Sequence, residues 1–243
     1  MTIRDDRVLP PVLLGLTAVT GLVDAVSYLA LGHVFTANMT GNVVFLGFAA
    51  AGAPGLSVTR SGTALAAFFM GAVIGGRMAA RTSGGRRDRW TGAAFGAEAA
   101  LFVTAMAVAL RYGSGLSNEP TRLYTVIVLT GLAMGIRNAT VRKLAVPDLT
   151  TTVLTLTLTG LAADSSLAGG GNPRWVRRSS AVAAMSTGAA VGAWLLGYSL
   201  ALVLALCALV SAGCATAAFV GLAPDARAGQ AKLVIGSGND SSS

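Results

Sequence analysis

Six stretches of the chain are apolar for about 20 residues, the length needed to cross a hydrocarbon core as helix: Pro10 to Leu31, Ser61 to Ala80, Thr91 to Arg111, Thr121 to Val141, Ser179 to Gly197 and Ser199 to Leu222. Two further apolar stretches, Asn38 to Gly52 and Asp148 to Ala163, are shorter. As helices they would rise only about 22 Å against a core of about 30 Å. Both open on polar residues, Thr36-Ala-Asn-Met-Thr-Gly-Asn42 in one and Thr150-Thr-Thr152 in the other. The pattern predicts an all-α membrane protein of about six spanning helices and two short or broken membrane segments. Residues 1–9 form a cytoplasmic amino terminus, 10–222 one transmembrane domain, and 223–243 a polar tail without periodicity, read as disordered.

The two halves overlay. Phe35-Thr-Ala-Asn-Met-Thr-Gly-Asn-Val-Val falls on Thr150-Thr-Thr-Val-Leu-Thr-Leu-Thr-Leu-Thr at an offset of 115, pairing Thr36 with Thr151 and Thr40 with Thr155. The pair Gly71/Gly75 falls on Gly188/Gly192, and both pairs have the small-xxx-small spacing of close helix packing. Two internal repeats are expected, at about 10–111 and 121–222.

Charge sets the orientation. If all eight segments cross, the 18 Lys and Arg divide 10 to 8 between the two sides. If both short segments enter and return, 15 gather on the side of the termini against Arg60, Arg111 and Arg122, as the positive-inside rule requires. The repeats then have opposite orientations, with both termini and the 81–89 loop cytoplasmic and the 113–119 loop outside. Inverted repeats with discontinuous helices are a recurring transporter architecture.

Composition narrows the classes further. With 53% hydrophobic and 12% charged residues and a mean hydropathy of +0.67, no solvated catalytic domain accompanies the membrane part. The net charge of +8 therefore reports orientation rather than a nucleic-acid partner. Cys207 and Cys214 lie seven apart in one helix, too far for a disulfide, and the single His33 has no companion metal ligand. No metal and no cofactor are expected. The apolar stretch after the amino terminus runs on through Asp24 without a cleavage site, so it reads as a retained span.

Thr17, Thr20, Asp24, Ser27 and Tyr28 fall on one face of the first span. A carboxylate at membrane depth costs about 2.5–3.5 kcal/mol on insertion scales. Asp24 is therefore paired, with Arg137 or through Tyr28, or protonated, or it serves a substrate path. Thr36 or Asn38 suits the N-cap of a half-helix, Gly41 permits close approach, and Asn38, Thr40 and Asn42 offer neutral donors and acceptors. Thr155, Thr157 and Thr159 alternate with Leu in a strand-like pattern; the segment is either a helix with Thr152, Thr155 and Thr159 on one face or extended backbone lining a cavity. Arg137 and Asn138 precede it, and Arg137 either joins the site or snorkels to the cytoplasmic surface. Glu98 is a weaker site candidate, with a buried pair to a neighbouring Arg or a protonated interface residue as its alternatives. Two glycosylation sequons, at Asn38 and Asn138, lie in or beside membrane segments and are discounted.

Gly21-Leu-Val-Asp-Ala-Val-Ser-Tyr-Leu, the Phe35 to Val44 run, Arg137-Asn-Ala-Thr-Val-Arg142 and the threonine-leucine segment together resemble the YoaK-like family of bacterial membrane proteins, a domain family of unknown function, over about residues 10–222. The resemblance implies a bacterial inner (plasma) membrane protein and supplies no substrate. From the residues, the leading expectation is a channel or secondary transporter for an unidentified small molecule. Asp24, Tyr28, Thr36, Asn38, Thr40, Asn42, Arg137, Asn138 and Thr155 would line its path, with Gly71, Gly75, Gly188 and Gly192 packing helices. The lipid bilayer is the partner and a homo-oligomer is allowed. A non-transporting structural or partner-binding subunit is the alternative. A membrane-embedded enzyme ranks third, since no paired carboxylates or H-E-x-x-H motif lie in the spans.

Overall fold

The computed structural model describes residues 3–81, 87–110, 120–146 and 154–222. The 113–119 loop, Thr150 to Thr152 and the tail from 223 lie outside these. Helix α1 (Ile3–Ala25) continues through a π-helical turn, Val26–Ala30; then follow α2 (Met39–Ala50), α3 (Val58–Arg81), α4 (Arg87–Leu110), α5 (Pro120–Leu144), α6 (Leu154–Ala163), α7 (Trp175–Leu196) and α8 (Leu200–Gly221). Among the described residues there is no strand. Six helices are long and apolar enough to cross a membrane, and they match the six expected stretches. The two short segments are the short helices α2 and α6, of 12 and 10 residues.

One boundary differs from expectation, and one open alternative is decided. Helix α1 begins at Ile3 and runs through Pro10 and Pro11, absorbing the hydrogen bonds that two ring nitrogens cannot make. The threonine-leucine segment is helical from Leu154, which lets its backbone groups satisfy one another as a membrane requires.

Helices α1, α4, α5 and α8 form the centre; α3 flanks α5 and α7 flanks α1, while α2 rests on α3 and α6 on α7. The glycines explain the tightest crossings. A methyl group on Gly71 would overlap the Leu132 carbonyl, and one on Gly75 would come within 2.8 Å of the Ile136 oxygen, so α3 and α5 run parallel in near backbone contact. A methyl on Gly188 would overlap the Ala18 carbonyl, and one on Gly192 would meet the Ala25 Cβ at 2.9 Å, so α7 and α1 are parallel too. Corresponding contacts in the two crossings are displaced by 114 residues along α1 and α5 and by 117 along α3 and α7: Gly71 on Leu132 matches Gly188 on Ala18, and Gly135 on Phe68 matches Gly21 on Met185. By contrast, α4 and α8 are antiparallel, Gly92 lying against Phe219 and Glu98 against Ser211. So are α1 and α8, where Gly221 meets Val8 and the Cys214 thiol donates to the Val12 carbonyl.

The core is mostly aliphatic. One buried cluster gathers Val19, Val23, Val26, Phe102, Ile127, Met134 and Leu204 between the central helices, and a second gathers Leu9, Leu13, Leu16, Phe95, Val141 and Leu144 toward one end. Large apolar side chains such as Phe69, Met70, Val73 and Leu209 face outward, as lipid-facing helix surfaces do.

Candidate functional site

At the centre sits a charged network rather than an open polar path. Arg137 and Glu98 are both fully buried. The Arg137 guanidinium donates from Nε to Glu98 Oε2 at 2.9 Å and from Nη2 to Glu98 Oε1, a two-point ion pair. Its Nη1 donates to the Leu16 carbonyl at 2.7 Å and to Thr20 Oγ1 at 3.0 Å. Glu98 Oε1 also accepts from Ser211 Oγ at 2.5 Å. One knot thus ties α1, α4, α5 and α8 together. Arg137 neither pairs with Asp24 nor snorkels to a surface, because its buried neighbour Glu98 supplies the counter-charge directly. The buried Arg-Glu alternative for Glu98 is the arrangement found. Ser211 had drawn no attention in the sequence: an isolated serine in an apolar span carries no pattern.

Asp24 stands apart from that network. Its Oδ1 is buried and no donor reaches it. Ser27, one turn on, donates instead to the Asp24 backbone carbonyl at 3.3 Å. Thr17 and Thr20 likewise donate to carbonyls four residues back, at 2.7 and 3.1 Å, so most of the polar stripe is spent within its own helix.

Tyr28 lies in the π-turn, 38% exposed. Its ring stacks on Phe35 at 5.4 Å between centroids, Phe35 stacks on Phe45 at 5.6 Å, and His33 meets Tyr28 edge-on at 5.0 Å. His33 holds a left-handed backbone conformation, φ 58°, in the sharp turn out of α1. The aromatic cluster was not foreseen, since its members are spread over 18 positions and come together only when the turn folds back. Arg60 of α3 closes the turn, donating from Nη1 to the Gly32 carbonyl at 2.7 Å.

The polar head of α2 divides its labour. Asn42 is buried and acts as a latch: Oδ1 accepts from the Phe35 N–H at 2.9 Å while Nδ2 donates to the Phe35 carbonyl. Thr36 is buried with an unpaired Oγ1. Asn38 occupies the N-cap without a side-chain capping bond, and Asn38 and Thr40 are exposed. In α6 the buried threonine is Thr157, while Thr155 and Thr159 are exposed, a different face from the expected Thr152/Thr155/Thr159 stripe. Arg178 of α7 tethers the end of α6, donating to the Gly160 carbonyl and to Asp164, both at 2.7 Å. Among the described residues α2 packs mainly on α3 and α6 mainly on α7, and the expected meeting of Asn38 and Thr155 at the membrane centre finds no support in those contacts. Each short helix leans on the long helix that follows it.

Asn138 donates from Nδ2 to the Met134 carbonyl at 2.8 Å. It stands 114 positions after Asp24, the displacement that relates the α1 and α5 contacts, and Gly21-Leu-Val-Asp-Ala25 then lies over Gly135-Ile-Arg-Asn-Ala139. That overlay was legible in the sequence and was missed there. Open apolar grooves of about 450, 380 and 340 Å³ lie along α1/α8, α4/α8 and α3/α4/α5; Asp24, Asn38 and Thr155 line none of these three.

Long apolar helices, lipid-like outer faces and a buried ionic knot define a multi-pass α-helical membrane protein. The profile of the family described as "Protein of unknown function (DUF1275)" matches residues 12–217, and the chain belongs to that family. It is 37% identical over 155 residues to the UPF0700 transmembrane protein YoaK of Bacillus subtilis (strain 168). That alignment covers 63% of this chain and 65% of the relative, just under two thirds of its length. No solved structure matches.

Proposed function

We propose that the chain is a transport protein of the bacterial plasma (inner) membrane, a channel or secondary transporter for a small molecule, built from two inverted repeats and using Asp24 as the charged group of its path. The observation that carries the reading is the paired α3–α5 and α7–α1 crossings, with their constant displacements, combined with the directions of the helices.

Parity supports the inversion. If neither short helix crosses, α1, α4 and α7 run one way and α3, α5 and α8 the other, which gives α3 parallel to α5, α1 parallel to α7, and α8 antiparallel to both α4 and α1. Those are the directions observed. If both short helices crossed, α4 and α8 would be parallel; if α2 alone crossed, α1 and α7 would be antiparallel; if α6 alone crossed, α1 and α8 would be parallel. Two halves of three spans each are necessarily opposite in orientation, the arrangement that alternating access exploits. The cytoplasmic placement of the amino terminus and of the Arg87 end of α4 rests on the basic residues. With Arg137 withdrawn into the core the division is 14 against three, the same sign.

Asp24 is favoured over Arg137 as the path residue because Arg137 has its partners and Asp24 Oδ1 has none. The test is flux. Purified protein in liposomes should pass at least one solute of a panel of alkali cations, amines, amino acids and polyols above the rate of empty vesicles, and Asp24→Asn should abolish or alter that flux. Flux absent across the whole panel, from folded protein of verified incorporation, would refute the reading in favour of a non-transporting membrane subunit.

A further inference from the structure

We propose that Asp24 and the rings of Tyr28, Phe35 and Phe45 form a binding site for an organic cation carrying an alkylated ammonium group. This deepens the transport reading and rests on it.

Four observations converge. First, Asp24 holds a buried carboxylate oxygen without a donor, and the residue forms no ion pair with any described side chain, so a charge on it has no partner within the described protein. Secondly, Tyr28 follows Asp24 by four positions, one turn along the same helix face, and it is the first ring of the stacked Tyr28–Phe35–Phe45 cluster. Tyr28 keeps 38% of its surface open, so the other rings do not seal it. Thirdly, the helix ends here, and its terminal carbonyls carry the negative end of the dipole. Arg60 donates to the Gly32 carbonyl in the turn beyond this helix end. Fourthly, the Asn42 latch on the Phe35 backbone fixes the second ring of the cluster in place before any ligand arrives.

The chemistry of the donors selects the cation. A bare metal ion wants six or more oxygens, or a cluster of ligating side chains, and among the described residues no group of three His, Cys, Asp or Glu lies together. A primary ammonium wants three acceptors, whereas the side chains of this site are one carboxylate and three rings. An alkylated ammonium needs few or no hydrogen bonds. It is satisfied by one carboxylate and by aromatic faces, whose quadrupoles attract positive charge within about 6 Å of the ring centre. In the second half Asn138 stands where Asp24 would recur, so one cation per chain is expected.

Choline and 3,3-dimethylbutan-1-ol have the same shape and differ by the charge, which makes them the deciding pair of probes. In thermal melts of the detergent-solubilised full chain, choline chloride should give a saturable rise of about 2–4 °C over sodium chloride of equal ionic strength, and the neutral isostere should give none. Asp24→Asn should remove the choline shift and Asp24→Glu should keep part of it. Tyr28→Leu should weaken binding by about tenfold and Tyr28→Phe should not. Equal shifts with choline and its isostere, a choline shift that survives Asp24→Asn, or no shift with choline, tetramethylammonium or trimethylamine would each overturn the site; the wild-type comparison decides even where a variant fails to fold. Asp24-dependent flux of a neutral or anionic solute would sink this inference and leave the transport reading standing. Choline binding without flux of any solute would do the reverse.

Discussion

Deleting either partner of the central ion pair should be among the most damaging single changes in this protein, and deleting both together should be nearly harmless. Glu98→Ala leaves the Arg137 guanidinium fully buried, with the Leu16 carbonyl and Thr20 hydroxyl as acceptors and no counter-charge. Arg137→Met leaves the Glu98 carboxylate with the Ser211 hydroxyl as its donor and no counter-charge. Because both groups are wholly out of solvent there is no screening to discount, and each single change should cost about 3–5 kcal/mol, roughly a 150- to 5,000-fold shift in the folding equilibrium. The pair Glu98→Leu with Arg137→Met replaces the ions by apolar groups of similar volume, and such replacements run from neutral to stabilising by about 1–4 kcal/mol. The coupling in the double-mutant cycle of Glu98→Leu and Arg137→Met should therefore exceed about 5 kcal/mol in magnitude, the single Glu98→Leu orphaning the same guanidinium as Glu98→Ala. Unfolding in mixed micelles, followed by helical circular dichroism and tryptophan fluorescence, reads all four proteins on one scale. Single costs below about 1 kcal/mol, as for a solvated pair, or a double variant as weak as the sum of the singles, would refute the assignment of the knot as a closed, buried pair.

Three further outcomes follow from the packing and the parity. Gly71→Ala and Gly188→Ala should each destabilise by about 1–3 kcal/mol or more, because the new methyl meets backbone that cannot swing aside, while Gly76→Ala, with nothing within 4 Å of its Cβ, should be neutral or gain about 0.5–1 kcal/mol of helix propensity; equal melting curves for all three would refute the crossings. Asn42→Ala should loosen the turn into α2 by unpairing the Phe35 N–H and carbonyl, at about 1–3 kcal/mol, read as faster amide exchange at 35–42 with the six long helices unchanged; unaltered exchange there would refute the latch. Single cysteines in a Cys207/Cys214-free background should react with an impermeant thiol reagent from outside intact cells at Val58 and not at Trp175, and the opposite pattern would reverse the orientation.

The spans were legible because length and hydropathy decide them within a single segment, and the short helices because apolar stretches of about 15 residues cannot bridge the core. The glycines were legible as packing residues for a similar reason: Gly71/Gly75 and Gly188/Gly192 carry their spacing on their own helices. Partner choice was not. Arg137 is 39 positions from Glu98 and 121 from Leu16, and nothing in the periodicity of α5 distinguishes a guanidinium that pairs across the bundle from one that snorkels or turns to Asp24. The threonines of α6 failed for a subtler reason. In a helix that leans on one neighbour alone, which threonine is buried depends on the rotation of the helix against α7, and a regular Thr-Leu alternation offers no apolar stripe to fix that rotation. An inverted repeat would state only how the halves are oriented and not which helices touch, so the contacts of α2 with α3 and of α6 with α7 could not be read from it.

The halves share their crossings and differ in their charges, and the difference bears on Asp24. Arg137 in the second half stands where the first has Val23, and Glu98 in the first faces Ser211 in the second, so the wholly buried guanidinium of Arg137 takes up the carboxylate of α4 and Asp24 Oδ1 is left without a partner. A lone carboxylate in a span costs free energy that the folded state without ligand does not recover internally. Asp24→Asn should then leave the ligand-free protein as stable as the parent or more so, while removing flux and choline binding. This is the opposite sign to Glu98→Ala, and it is the trade of stability for activity expected where a strained group is kept for function. The melts that read Glu98→Ala also read this variant. If Asp24→Asn instead loses about 3–5 kcal/mol, the cost of orphaning a buried cation, then Asp24 has a partner in the folded protein, and both its vacancy for a ligand and the path built on it are wrong.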